Sequence, residues 1–184
     1  MKEENQLLIQ HTDNWVKRVI MKYNICPFAR QEVENESIRY VVFEDKKISR
    51  IADKLIEEYQ YMDTHPEAET SLVILPNGFN HFNRYLEAVY LAEDLINELD
   101  YEGTYQIASF HPEYCFEGED FDSPTNFTNR APYPTLHIIR EASIEKALET
   151  YSEPESIPQR NKAFADKKGA QFFIELLKNC AKSD

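Results

Sequence analysis

Apolar residues recur along parts of the chain every three or four positions, the spacing that buries one face of an amphipathic helix. Asn80 precedes one such segment, where its side chain could cap the helix, and a further short helix is expected near Ser143. Pro158 opens the last segment, because proline suits the first helical turn. The predicted helices are 5–23, 48–59, 82–99 and a single last helix from Pro158 that buries Phe172 and Leu176.

Short apolar runs of strand length separate these helices. The predicted strands are 38–43, 70–75, 104–110 and 135–140. Alternating strands and helices indicate an α/β (or α+β) fold, a single domain over residues 1–184. We expect a four-stranded, mostly parallel or mixed sheet flanked by about five helices, with the fourth strand free to run antiparallel.

The connection between the third and fourth strands is unusually long. It spans 111–134, whereas connections of about 4–6 residues are usual. Four prolines stiffen it, and polar and aromatic residues are interleaved along it. In sheets of this kind ligands bind beyond the carboxyl ends of the strands. We therefore expect the 76–78 turn and the loop from His111 to converge on a ligand crevice.

Charge narrows the range of partners. The net charge of −13 disfavours binding to nucleic acid, which requires lysine and arginine against the phosphates, and binding to anionic membranes. No apolar run is long enough for a membrane span, and no secretory leader is evident. The cysteines are Cys26, Cys115 and Cys180, without a CxxC pair, so we expect a reducing, cytoplasmic location. Four glycines form neither a P-loop nor a dinucleotide fingerprint.

Cys26 is a candidate nucleophile. If a helix covers 27–32, Cys26 caps it, and the helix dipole together with Arg30 favours the thiolate. The alternative is a small buried apolar residue between Ile25 and Phe28.

Two histidines lie at or beside predicted strand ends. His111 directly follows the third strand and is a candidate acid/base, metal ligand or phosphate donor. His137 lies within the fourth strand, on the face opposite Leu136 and Ile138. For each histidine the alternative is a hydrogen-bonded structural role.

Arginines provide candidate anion ligands. Prolines after Asn129 and Arg130 favour an extended segment that would project the guanidinium rigidly. The alternative for each arginine is a pair with a local carboxylate. The candidate substrate-binding residues are Arg130, Asn129, Arg140, Arg160, Asn161 and Arg30. His111 and Cys115 lie near several carboxylates, but their spacing matches no established ligand pattern, so we predict no metal site.

Several motifs together resemble one family. They are Trp15, ICPFA at 25–29, QIASFHPEYCF at 106–116, NFTNRAPYP at 126–134, LHIIRE at 136–141 and IPQRN at 157–161. The chain resembles the bacterial domain-of-unknown-function family 1415, proteins of about this length. The resemblance implies a cytoplasmic, bacterial, single-domain protein, and it supplies no reaction or cofactor.

The leading hypothesis is an enzyme acting on a small anionic metabolite. Arg130, supported by Arg140 or Arg160, would bind a phosphate or carboxylate that Asn129 orients. His111 would be the acid/base, and Cys26 would be the nucleophile if it reaches the same crevice. The alternatives are a noncatalytic small-molecule-binding module and a protein-interaction module. No motif identifies a cofactor, a reaction class or an oligomeric state.

Overall fold

Helices surround a single four-stranded sheet in the computed structural model, which describes residues 2–149 and 153–182. The strands are β1 (Ile38–Val42), β2 (Thr70–Ile74), β3 (Tyr105–Phe110) and β4 (Thr135–Arg140). The α-helices are α1 (Glu3–Trp15), α2 (Ala29–Glu34), α3 (Ile48–Thr64), α4 (Phe82–Glu98), α5 (Glu141–Leu148), α6 (Ile157–Lys168) and α7 (Ala170–Cys180). A π-helical segment, Val16–Met21, continues α1, and short 3-10 helices cover Pro124–Thr128 and Pro154–Ser156. The α/β class is confirmed.

The sheet is mixed, with strand order β1-β2-β4-β3. β1 and β2 are parallel, whereas β4 is antiparallel to both of its neighbours. Strands β1, β2 and β3 therefore run in one direction, and β4 is inserted between β2 and β3. The expected convergence of two turns occurs although β4 separates their strands: the Nε2 of His111 lies 2.9 Å from the carbonyl oxygen of Phe79.

The larger core lies between one face of the sheet and the helices α3 and α4. Apolar residues of α3 follow the helical spacing that the sequence shows, so one stripe of the helix is buried. The same holds for α4, and both stripes pack against alternate residues of β2 and β4. Fully buried members of this core are Ile51, Leu55, Met62, Tyr85, Ala92, Val73, Leu136 and Ile138.

The other face of the sheet is covered by α1, the π-helical segment and α7. Trp15 is the centre of this second core, with 1% of its surface exposed. Its ring packs edge-on against Phe110, with ring centroids 5.0 Å apart. Its indole N–H donates to the carbonyl oxygen of Arg130 at 3.1 Å, which attaches the first helix to the long loop.

Helix boundaries differ from the predictions at three places. Helix α2 begins at Ala29 with Phe28 as its N-cap, so Cys26 is not a cap. Helix α4 is preceded by His81 rather than Asn80, and no side chain caps it. The single last helix is wrong: Gly169 has a φ of 78°, a left-handed conformation that interrupts the helix and separates α6 from α7. With this break and the short α2, the described chain has seven α-helices instead of about five.

Two polar side chains organise the long loop from within. Asn126 is fully buried; its oxygen accepts the Phe116 N–H at 3.0 Å, and its amide donates to the carbonyls of Asp120 and Phe121. Arg130 is 7% exposed and donates to the carbonyls of Tyr114 and Phe121, at 3.1 and 2.7 Å. Its guanidinium also lies over two aromatic rings of the loop. These bonds replace the strand ladder that the loop lacks.

Asn126→Ala is expected to destabilise the protein by about 2–4 kcal/mol, because three backbone groups of the loop would lose their partner. Urea unfolding followed by circular dichroism measures the change. Asn80→Ala is the matched control and should change the free energy of unfolding by less than about 0.5 kcal/mol, since Asn80 is exposed and caps no helix. Equal effects of the two substitutions would contradict the assigned role of Asn126.

Candidate functional site

A cleft of about 270 Å³ lies between the second face of the sheet and the segment that runs from α1 to α2. The sheet forms its floor, and α1, the π-helical segment and α2 form its roof. The start of α5 and the residue before β2 complete its lining. The roof residues are Trp15, Val16, Ile20, Cys26, Phe28, Ala29 and Glu32.

Strand register explains which residues form the floor. Alternate residues of a strand face the same side, and paired residues of neighbouring strands share that side. One row across the sheet is Ile38, Thr70, Ile139 and Gln106. The next row contributes Leu72, His137 and Ala108. The floor is therefore mainly aliphatic, with a histidine among the aliphatic side chains.

The roof contains a break in helix geometry. The π-helical segment Val16–Met21 includes two of the lining residues, Val16 and Ile20. Short π-helical turns inserted in α-helices occur frequently at functional sites. The π-helical segment therefore marks this wall of the cleft as a candidate functional region.

His137 is a polar residue of the floor, and one of its two ring nitrogens is an acceptor without a hydrogen-bond partner among the described residues. The Thr70 hydroxyl donates its proton to the Ile138 carbonyl at 2.7 Å, so the contact between that hydroxyl and Nε2 requires His137 to be the donor. Nδ1 then carries a lone pair, and within the described residues it has no hydrogen-bond partner. Burial lowers the pKa of His137 to about 4, so the ring is neutral at pH 7.

Cys26 lies in the roof as a half-buried thiol. Burial raises its pKa, against the lowering effects of the Phe28 and Ala29 N–H groups and of Arg160. Glu32 adds to the increase. The predicted lowering of this pKa is therefore wrong in direction. The thiol still faces the same cleft as His137.

Two carboxylates also line the cleft, and one residue connects their backbones. Ser37 donates its N–H to the carbonyl of Glu32 at 3.0 Å, and its own carbonyl accepts the Glu69 N–H at 3.1 Å. The Ser37 hydroxyl donates to the Glu32 carboxylate, and the Ser143 hydroxyl donates to the Glu69 carboxylate at 2.5 Å. Glu32 and Glu69 therefore lie near each other, beside the amino-terminal ends of β1 and β2.

His111 lies elsewhere. It is completely buried, with Nε2 donating to the Phe79 carbonyl and Nδ1 accepting the Glu113 N–H at 2.9 Å. Burial lowers its pKa, which favours the neutral ring that these two bonds require. These are the contacts of the structural alternative, and the acid/base role of His111 stays a prediction.

None of the residues predicted to bind an anion lines the cleft. Arg130 is bonded to carbonyls within the long loop, and Asn129 donates to the Ser109 carbonyl at 3.3 Å. Arg140 donates to carbonyls at the end of α3, including those of Met62 and His65, and to that of Ala68. These donors are bonded to backbone carbonyls, and the anion-binding role of the residues stays a prediction.

The remaining candidates hold the start of α6 against the chain before α2. Arg160 donates to the Asn24 carbonyl at 2.5 Å, and Asn161 donates to the Ile25 carbonyl at 2.7 Å. Arg30 is exposed, 3.7 Å from Glu34. These contacts position the segment that carries Cys26, which is one way in which Arg160 and Asn161 support the cleft.

Sequence reasoning missed most of the cleft. Several polar residues of the lining were not considered as site residues, because their segments were read only for secondary structure or left as connections: Glu32, Glu69, Thr70, Gln106 and Ser143. Strand alternation placed His137 opposite Leu136, but nothing in the sequence indicated that its face is only partly covered. No three His, Cys, Asp or Glu side chains of the described residues are grouped to hold a metal ion. Among those residues, no helix has the length and apolar character to cross a membrane.

The lowered pKa of His137 predicts a pH dependence of stability. The unfolded chain binds a proton near pH 6.5 that the folded chain resists until about pH 4, so stability is complete above pH 6.5 and is lost as the pH falls toward 4. Between pH 7 and pH 5 this histidine should account for about 2 kcal/mol of lost unfolding free energy. Urea unfolding at both pH values should show a smaller loss in His137→Gln, whereas the exposed His81→Gln keeps the wild-type loss. If the wild type and both variants lose the same unfolding free energy between pH 7 and pH 5, the lowered pKa of His137 is contradicted.

The raised pKa of Cys26 predicts slow alkylation. At pH 7.5, iodoacetamide should modify Cys26 more slowly than free cysteine, and the rate should rise with pH as the thiolate forms. Peptide mapping by mass spectrometry separates Cys26 from Cys115 and Cys180. A rate at neutral pH above that of free cysteine would show a stabilised thiolate instead.

Comparison with known proteins identifies the family without adding a reaction. The sequence matches the family described as a protein of unknown function (DUF1415) over residues 7–175. No curated protein and no solved structure matches the chain. The matched range includes every residue that lines the cleft. The resemblance noted in the sequence is thereby confirmed, and the chain belongs to the DUF1415 family.

Proposed function

We propose that this protein binds a small, largely apolar molecule in the cleft, oriented by a hydrogen bond to His137. The observation that carries the proposal is a mainly apolar cleft whose floor includes the unpaired Nδ1 of His137. Ligand sites in proteins are concave and mostly apolar, with a few placed polar groups, and their volumes start at about 300 Å³. At about 270 Å³, the cleft lies just below that lower limit and suits a small ligand.

Apolar lining residues give the first support. Five apolar residues of the lining are only partly buried, because the surface that they turn to the cleft is not covered by protein. They are Phe28, Ile38, Ala108, Ile139 and Ile144. Covering such surface gains about 25 cal/mol for each Å² of apolar area removed from water. A ligand with an apolar body would supply that cover.

His137 gives the second support. A neutral imidazole with Nε2 committed to Thr70 presents Nδ1 as an acceptor, so it would pair with a hydroxyl, amide or amine hydrogen of the ligand. The site would favour ligands that have a hydrogen-bond donor, because a ligand without one would exclude water from Nδ1 and leave it without a partner.

Binding accounts for these features without a reaction. Of the two predicted catalytic residues, Cys26 lines the cleft and His111 does not. An enzymatic use of the site would pair the Cys26 thiol with the His137 ring, and it stays a hypothesis beside the binding function. The free cysteines Cys26, Cys115 and Cys180 support a reducing, cytoplasmic setting for either.

Titration with 3-phenylpropan-1-ol tests the proposal. Trp15 is the single tryptophan and lines the cleft, so its fluorescence, excited at 295 nm, should change saturably as the alcohol binds. Ala108→Phe in the floor and Ala29→Phe in the roof should each raise the dissociation constant at least about tenfold, because the new ring occupies the ligand volume.

Ala142→Phe is the matched control, because Ala142 is exposed and lies outside the lining. It should bind like the wild type. Absence of a saturable signal in the wild type, confirmed by calorimetry, would overturn the binding function. If all three variants bind the alcohol equally well, the alcohol binds outside the cleft, and the proposed site is wrong.

A further inference from the structure

We infer that the ligand of this cleft is an organic cation, an amine attached to an apolar body, held by Glu32 and Glu69. The inference rests on the proposed binding function and adds the chemical class of the ligand. Its sign is opposite to that of the anionic metabolite expected from the sequence.

The charged side chains that line the cleft are both carboxylates. Glu32 belongs to the roof, and Glu69 precedes β2. Their connection through Ser37 places both at the same end of the cleft, next to Thr70, whose hydroxyl contacts His137. In the inferred complex the ammonium group lies at this end, which both carboxylates line, and the apolar body extends over Leu72 and Ala108.

Both carboxylates lack a cationic partner among the residues that the structure describes. Glu32 and Glu69 form no ion pair there, and each is bonded to a serine hydroxyl. The described lining contains no lysine or arginine; Arg160 influences Cys26 but is bonded to the Asn24 carbonyl outside the lining. His137 is neutral, so it does not compensate the two negative charges either. A partly buried charge without a counter-charge is costly, and a cationic ligand would reduce that cost.

The surroundings favour an organic cation over a metal ion. Two carboxylates flanked by aliphatic and aromatic walls provide too few oxygen ligands for calcium or magnesium. No group of three or more metal-ligating side chains occurs in the described residues. An ammonium group needs only a few acceptors, and the walls match the apolar body. The net charge of −13 additionally attracts cations over distance.

Three ligands with one body and different end groups test the inference: 3-phenylpropylamine, 3-phenylpropan-1-ol and 3-phenylpropanoate. Titrations at pH 7.5 in 50 mM salt should show the amine binding about tenfold more tightly than the alcohol, and the carboxylate more weakly than both. Raising the salt to 500 mM should reduce the preference for the amine and leave the alcohol unchanged.

Glutamine has nearly the shape of glutamate without its charge, so substitution of the two carboxylates tests whether their charge causes the preference for the amine. Glu69→Gln and Glu32→Gln should each reduce severalfold the ratio of the affinity for the amine to the affinity for the alcohol. The matched controls are Glu67→Gln and Glu34→Gln, each two positions away, exposed and outside the lining. They remove the same net charge and should preserve the preference.

The outcomes distinguish the two proposals. If the alcohol binds and the amine binds no better, or the carboxylate binds best, the cationic inference is overturned while the cleft remains a binding site. If the controls abolish the preference as strongly as the cleft variants, the attraction is global and the inference also fails. If no compound binds, the proposed function fails, and the inference with it.

Discussion

The hydrogen bonding of the buried backbone in the long loop is the constraint on which much of this structure depends. The loop between β3 and β4 lies against the core without a ladder to pair its carbonyls, so side chains must supply the donors. Asn126 and Arg130 do so, and the carbonyl of Arg130 in turn accepts the indole N–H of Trp15. The same bonds therefore fix the loop, the entry into β4 and the docking of the first helix.

Elements with strong apolar spacing could be predicted from the sequence, and their neighbours in space could not. The four strands and the helices α3 and α4 occur close to where periodicity placed them. Pairing depends on contacts far apart in sequence, so the insertion of β4 between β2 and β3 left no local signal. The break at Gly169 was missed because the apolar residues of α6 and α7 continue through it at compatible spacing.

Residue chemistry alone does not determine the candidate site. Arginine has the same donors whether its acceptor is a phosphate or a carbonyl, so the sequence does not distinguish a ligand residue from one that bonds backbone carbonyls, as Arg130 and Arg140 do. Cys26, which lines the cleft, was a candidate because the chain has only three cysteines. Glu32 and Glu69 were passed over, since an acidic protein has many carboxylates and only the fold shows that these two line the cleft.

The π-helical segment changes the direction in which the side chains of the roof point. In a regular α-helix, residues five apart point about 140° away from each other, so Trp15 and Ile20 would diverge. The wider turn between them brings both side chains over the sheet, where both are buried. A helix of normal pitch made of the same residues would rotate one of them out toward solvent. The shape of the roof therefore depends on the helical geometry of the backbone as well as on the identity of the side chains.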